Sequence, residues 1–203
     1  MGDIMKGVGY LISAVAFLTL LNLTGCATVK NLPASYIDAD KTISVEIAKI
    51  PEEPKMRDSG QGGLIGVMVN ASRDSNMDNV MDGLESDTVQ ELLLQRIEEK
   101  LETGFIVDDE GQDLLLEVNV QNWGWFCPST AFGIRTGAYQ LEINANVAIF
   151  ENTPEKKKLA YTRIISQSPL GDDPTIKSCQ DAMMLTIEKF SEDVSTFVFK
   201  EKS

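Results

Sequence analysis

Alternating hydrophobic and polar positions predict several β-strands in the second half of the chain. The longest alternation covers 139–150. One face begins with polar residues, and the other carries Tyr139, Leu141, Ile143, Ala145, Val147 and Ile149. A period of two is typical of a strand with one buried face and one wet face. Shorter runs of the same kind predict strands over 42–50, 105–107, 113–121 and 159–166.

Two other segments repeat their hydrophobic residues every three or four positions, which predicts helices. Over 86–101 the apolar side consists of Val89, Leu93, Ile97 and Leu101, with Leu92 beside them. Asp173-Pro174 opens a second helix, with the proline at a permitted first position. Its apolar stripe is Cys179, Met183, Ile187, Phe190, Val194 and Phe197. The apolar run Leu64–Val69 is too short for periodicity to separate a helix from a strand. Helix is favoured, and a strand is the alternative.

These elements predict an α+β fold, in which two main helices pack on one face of an antiparallel sheet of four to five strands. The polar segment 151–158 contains a proline and suits a hairpin between the strands on either side of it. We therefore expect one α+β domain over 42–203.

The N-terminal segment has a different pattern, because no charged residue occurs between Gly7 and Val29. The apolar run ends at Leu23-Thr24-Gly25-Cys26, which resembles the lipobox of bacterial lipoproteins. That resemblance implies a signal peptide over 1–25, cleavage between Gly25 and Cys26, and acylation of Cys26 by diacylglycerol and an N-linked chain such as palmitate. An uncleaved membrane anchor is the alternative, and translation can start at Met1 or at Met5.

The residue after the cysteine bears on localisation. In the lipoprotein family an aspartate at this position retains the protein at the inner membrane, and here the residue is Ala27. The resemblance thus implies an outer-membrane lipoprotein, with the domain expected on the periplasmic side. Residues 26–41 are polar after the cysteine and are predicted to form a flexible tether.

Charge and composition exclude several classes of function. The chain has 18 Lys and Arg, 31 Asp and Glu, no histidine, and a net charge of −13. Binding to nucleic acid needs a basic surface, so no nucleic-acid partner is expected. Without histidine, Ser-His-Asp and Cys-His catalysis and His-containing zinc sites are also excluded. An acidic body is repelled by anionic membranes, so lipid rather than charge is expected to hold it there.

If the chain is exported, its compartment determines the expected oxidation state of the remaining cysteines. Cys127 and Cys179 remain once Cys26 is acylated, and an oxidising compartment lets them form one disulfide. The bridge would join the end of a strand to the last helix. The alternative is that both are small buried apolar residues.

One acidic segment matches the ligand spacing of an EF-hand calcium loop. Asn79 departs from that pattern, because the family has glycine there. The alternative is a polar loop whose carboxylates interact with the N-terminus of the next helix. The candidate ligands are Asp74, Asn76, Asp78, the Val80 carbonyl, Asp82 and Glu85.

The aromatic cluster Trp123, Trp125 and Phe126 is a second candidate site. Strict alternation places both tryptophans opposite Leu116 and Val118, on a wet face that is predicted to bind a partner, a lipid or a glycan. The alternative is a bulge at Gly124 that turns both side chains into the core.

Taken together, the sequence favours a non-enzymatic lipoprotein with an auxiliary role in envelope transport or assembly. The element order over roughly 42–200 is similar to that of small envelope lipoproteins of this kind, which implies the membrane and another envelope protein as partners. No cofactor is expected apart from the calcium alternative. A carboxylate-based envelope hydrolase and a calcium-responsive binding module are the other two hypotheses.

Overall fold

The computed structural model describes residues 30–48, 50–54, 80–81, 84–110, 112–127, 138–171 and 174–199. Within these ranges it has a 3-10 turn at Ala34–Tyr36, five strands and two long helices. The strands are β1 (Thr42–Ile47), β2 (Ile106–Val107), β3 (Leu114–Phe126), β4 (Tyr139–Glu151) and β5 (Lys158–Gly171). The helices are α1 (Ser86–Leu101) and α2 (Ile176–Phe199).

The strands form one sheet in the order β2-β1-β3-β4-β5. β3, β4 and β5 are antiparallel neighbours, and the hairpin predicted between the last two is present. β1 instead runs parallel to both β2 and β3. The predicted α+β class is confirmed, but a purely antiparallel sheet is wrong.

Strand direction differs from the prediction because of the connection between β1 and β3. Parallel neighbours need a long crossover, usually with a helix, and this connection contains α1. Alternation along a strand identifies which face is buried, and it is the same for either direction. The mixed sheet is therefore a result of connectivity.

Both helices cover the apolar face of the sheet. The buried residues of α1 are the predicted four, Val89, Leu93, Ile97 and Leu101. α2 packs on β4, β5 and α1, and its predicted apolar stripe is buried. Lys100 on α1 lies 2.5 Å from Glu188 and 3.8 Å from Glu192 on α2, so ion pairs cover the outer side of the helix pair.

Two strands extend beyond their predicted ends. β3 continues from the predicted 113–121 through Phe126, and β5 continues from 159–166 to Gly171. The added part of β3 follows a register shift between Val120 and Asn122, and in the added part of β5 a buried position is occupied by the polar Ser168, so neither part continues the apolar alternation. The run Leu64–Val69 lies outside the described residues.

Candidate functional site

The segment that precedes β1 lies on the domain from Lys30 onwards. Lys30 and Tyr161 of β5 exchange two backbone hydrogen bonds, with N···O distances of 3.1 and 2.9 Å. Leu32 is 4% exposed and belongs to the core. The flexible tether predicted for 26–41 is therefore wrong for 30–41. The physical reason is that β5, as the end strand of the sheet, offers backbone groups to a further segment.

A polar cluster fixes the next part of this segment. The Tyr36 hydroxyl donates to Glu151 Oε1 at 2.5 Å, and Lys157 Nζ lies 3.4 Å from the same oxygen. The hydrogen bond from Tyr36 lowers the pKa of the Glu151 carboxyl, and the same bond raises the pKa of Tyr36. Lys41 Nζ lies 4.8 Å from the centre of the Tyr36 ring.

Beside this segment, the outer face of the sheet carries a depression of about 330 Å³. Lys158 and Arg163 of β5 stand on its rim with Tyr161 between them, and Asn146 and Ala148 of β4 lie opposite. We call this surface the cationic depression. It is the strongest candidate for a binding site, because two exposed cations converge on one concave surface.

The two cations of the depression are oriented by neutral neighbours. Lys158 Nζ lies 5.4 Å from the Phe150 ring centre and 5.9 Å from that of Tyr161. Arg163 Nε donates to Asn144 Oδ1 at 2.9 Å. Among the described residues, neither cation forms an ion pair with a carboxylate. Their charge is thus available to an anion.

A second and more open cavity of about 530 Å³ lies between β5 and the C-terminal half of α2. Ile165, which is 42% exposed, and Asp193 are part of its lining. Asp193 accepts a hydrogen bond of 2.6 Å from the Ser166 hydroxyl, which ties the helix to the strand. This contact is structural, and no ligand chemistry follows from it.

The aromatic cluster is not a surface. Trp123 is 0% exposed and Trp125 is 4% exposed, and both pair across β3–β4 with the core residues Ile143 and Leu141. The cause is a register shift between Val120 and Asn122, three residues before the predicted bulge. One extra residue reverses the alternation that follows. The predicted exposure of both tryptophans is therefore wrong, and the alternative, their burial in the core, is correct. Phe126, at the end of β3, is half-buried.

The two cysteines are buried separately. Cys127 follows β3, Cys179 lies in the first turn of α2, and the structure has no disulfide between them, so the predicted bridge is not confirmed. The Cys179 thiol donates to Met81 Sδ at 3.1 Å. Burial raises the pKa of Cys179 to about 11, which keeps the thiol protonated at neutral pH.

Most of the predicted calcium loop lies outside the described residues: Asp74, Asn76, Asp78 and Asp82. Val80 is in a helical turn and buried, and Glu85 is exposed just before α1, where it makes no capping hydrogen bond. Within the described ranges, no three His, Cys, Asp or Glu side chains are grouped as metal ligands would be.

The lipobox, with Gly25 and Cys26, also lies outside the described residues. None of the helices in the described ranges has the length and apolar character needed to cross a membrane. Sequence reasoning missed the cationic depression. The available signal was the run Lys156-Lys157-Lys158, a local excess of positive charge in an acidic chain.

No family model and no curated protein matches the chain. Solved structures with a similar arrangement include a Xanthomonas campestris protein of the DUF330 family, at 10% identity and a TM-score of 0.48, covering 82% of this chain and 87% of that one. A minor lipoprotein from Acinetobacter baumannii has 9% identity, a TM-score of 0.40, and coverage of 79% and 92%. The rare lipoprotein B from Shewanella oneidensis has 14% identity, a TM-score of 0.37, and coverage of 77% and 90%. These likenesses assign no role to this chain.

Proposed function

We propose that this protein is an outer-membrane lipoprotein with a non-enzymatic, auxiliary binding role in envelope transport or assembly. The acyl chains of Cys26 hold it in the membrane, and the α+β domain faces the periplasm. The observation that carries this proposal is the docking of Lys30 on β5. Only three residues separate Lys30 from the lipobox cysteine, so an anchor at Cys26 would be close in sequence to a docked part of the domain.

This short connection has a mechanical consequence. A segment from Cys26 to Lys30 spans at most about 14 Å when fully extended. The backbone pair between Lys30 and Tyr161 and the burial of Leu32 hold the other end of the segment. An acylated Cys26 would therefore keep one side of the domain near the bilayer, as suits a protein that presents its opposite surfaces to a partner.

Exposed apolar residues support a protein partner. Leu185 is 56% exposed and Met184 beside it is 40% exposed, both on the outer side of α2. Large apolar side chains that are neighbours on a surface favour contact with another protein over contact with water. We propose that the partner is another envelope protein that contacts this part of α2.

Acylation is tested by metabolic labelling with a palmitate analogue, followed by mass spectrometry of the N-terminal peptide. The native chain should carry the label, Cys26→Ser should lose it, and the matched variant Cys127→Ser should keep it. Label retained by Cys26→Ser would contradict the proposal. For localisation, Ala27→Asp should move the protein from the outer-membrane to the inner-membrane fraction.

The partner is tested by photocrosslinking in cells with a reactive amino acid at Leu185, using Asn119, which is exposed on β3 on the face of the sheet away from the helices, as the control position. A crosslink to one envelope protein at Leu185 and not at Asn119 supports the binding role. Equal or absent crosslinking at both positions contradicts a partner on this face.

A further inference from the structure

The surface around the start of β5 has a charge opposite to that of the whole protein. The chain has a net charge of −13, yet Lys156, Lys157, Lys158 and Arg163 lie within eight residues of one another. Lys157 is paired with Glu151. Lys158 and Arg163 are exposed and have no carboxylate partner among the described residues. In so acidic a protein, two uncompensated cations on one concave surface favour an anionic ligand outside the chain.

The shape of the cationic depression comes from the residues that face each other across β4 and β5. Ala148 lies opposite Tyr161, and its small side chain leaves the space. Asn146 pairs with Arg163 on one side of this space, and Phe150 pairs with Lys158 on the other. The result is a floor of small and aromatic groups between an ammonium and a guanidinium. Guanidinium and ammonium groups are the usual ligands of phosphate oxygens.

The position of the depression indicates which anion is available. Tyr161 lies in the depression and is also the residue that holds Lys30, which is four positions after Cys26. If Cys26 is acylated, as in the proposed function on which this inference rests, the lipid lies within about 14 Å of Lys30. The anions nearest to the depression are then the phosphates of the surrounding lipid headgroups.

We propose that the cationic depression binds the phosphate of an anionic phospholipid in the membrane that holds Cys26. The site orients the domain so that the β4–β5 hairpin faces the bilayer. Lys158 and Arg163 contact the phosphate, and the aromatic rings of Tyr161 and Phe150 lie at the level of the headgroups, where aromatic side chains are favoured. Basic residues beside a lipid anchor strengthen binding to an anionic surface in this way.

The test uses the full mature protein, reconstituted in vesicles of phosphatidylcholine alone or of phosphatidylcholine with phosphatidylglycerol. A water-soluble amine-acetylating reagent is added, and the modification of each lysine is followed by mass spectrometry. Lys158 should react about fivefold more slowly in the anionic vesicles, a factor that corresponds to one lysine at an anionic surface. High salt should remove the protection. Lys177, exposed on the first turn of α2, is the internal control and should react equally in both.

Two variants sharpen the test. Arg163→Glu should abolish the protection of Lys158, and Lys177→Glu, with the same change in charge, should preserve it. Equal reaction of Lys158 in both kinds of vesicle would overturn the proposal. So would protection by inorganic phosphate with neutral vesicles at the level seen with phosphatidylglycerol, because that result indicates a small-anion site. The same spectra report the mass of the Cys26 peptide, so a chain without acyl groups refutes the proposed function separately from the headgroup site.

Discussion

The two buried tryptophans of β3 allow a matched experiment on the core. Trp123 and Trp125 lie on the same strand and the same face, and both are almost fully buried. They differ at the indole N–H. That of Trp123 donates to the Pro51 carbonyl at 2.6 Å, whereas that of Trp125 has no hydrogen-bond partner among the described residues. Replacing each with phenylalanine removes similar ring area, so the difference between the variants reports on the two indole N–H groups.

The magnitude follows from the cost of breaking a buried hydrogen bond. Leaving a buried carbonyl without its donor costs about 1–3 kcal/mol. Pro51 is half-buried, so water partly replaces the indole and we expect about 1–2 kcal/mol for Trp123→Phe beyond the cost of Trp125→Phe. For a domain of this size that corresponds to a melting temperature lower by about 2–8 °C. Trp125→Phe also removes a buried donor without an acceptor, which offsets part of its own cost.

The assay is urea unfolding followed by circular dichroism at the helix band, because fluorescence would be altered by the loss of either tryptophan. The free energy of unfolding is compared between the two variants, and the m-value serves to confirm that both unfold as the native protein does. The reasoning is refuted if Trp125→Phe is as destabilising as Trp123→Phe, or more so.

Three further predictions concern packing, pH and reactivity. A Cβ on Gly104 would lie 2.5 Å from Phe199 Cε1, so Gly104→Ala should lower the free energy of unfolding by about 1–3 kcal/mol. In a chain that already carries Phe199→Ala, the same substitution should cost much less, because the clash is gone. Fully additive effects in the double variant would contradict the steric cause. The hydrogen bond from Tyr36 lowers the pKa of the Glu151 carboxyl, so this bond stabilises the fold fully above the ordinary carboxyl pKa of 4.5. The stabilisation is lost as the pH falls through the lower pKa of the folded state. Thermal unfolding should therefore show Tyr36→Phe less stable than the native chain at pH 7 and equally stable in acid. Because burial raises the pKa of Cys179 to about 11, iodoacetamide at pH 8 should modify this thiol only after unfolding, and mass spectrometry showing rapid modification of the folded protein would disprove its burial.

The local pattern of apolar residues was sufficient to predict buried positions wherever burial depends on a single helix or strand. The four apolar residues of α1 and the alternating inner face of β4 are buried as their periods predict. Such positions are decided by the geometry of one helix or one strand against an apolar layer, and the period survives in the sequence whatever the neighbours are.

Local pattern failed wherever two distant segments determine the outcome. The bulge before Trp123 exists in the pairing of β3 with β4, and a strict period of two through that point places the tryptophans on the wrong face. The segment that contains Lys30 and Leu32 has no period of its own, and it is ordered because β5 supplies backbone partners 131 positions away from Lys30.

The sequence alone determined the elements of the domain, their buried faces, the net charge, and the lipobox resemblance from which the proposed anchoring follows. Only the tertiary structure decided the direction of β1, the burial of the tryptophans and the docking of Lys30 on β5. It also brought Lys158 and Arg163 to the rim of one depression. The physical reason is that periodicity and charge are local properties of the chain, whereas strand pairing and concave surfaces arise from contacts between residues far apart in sequence.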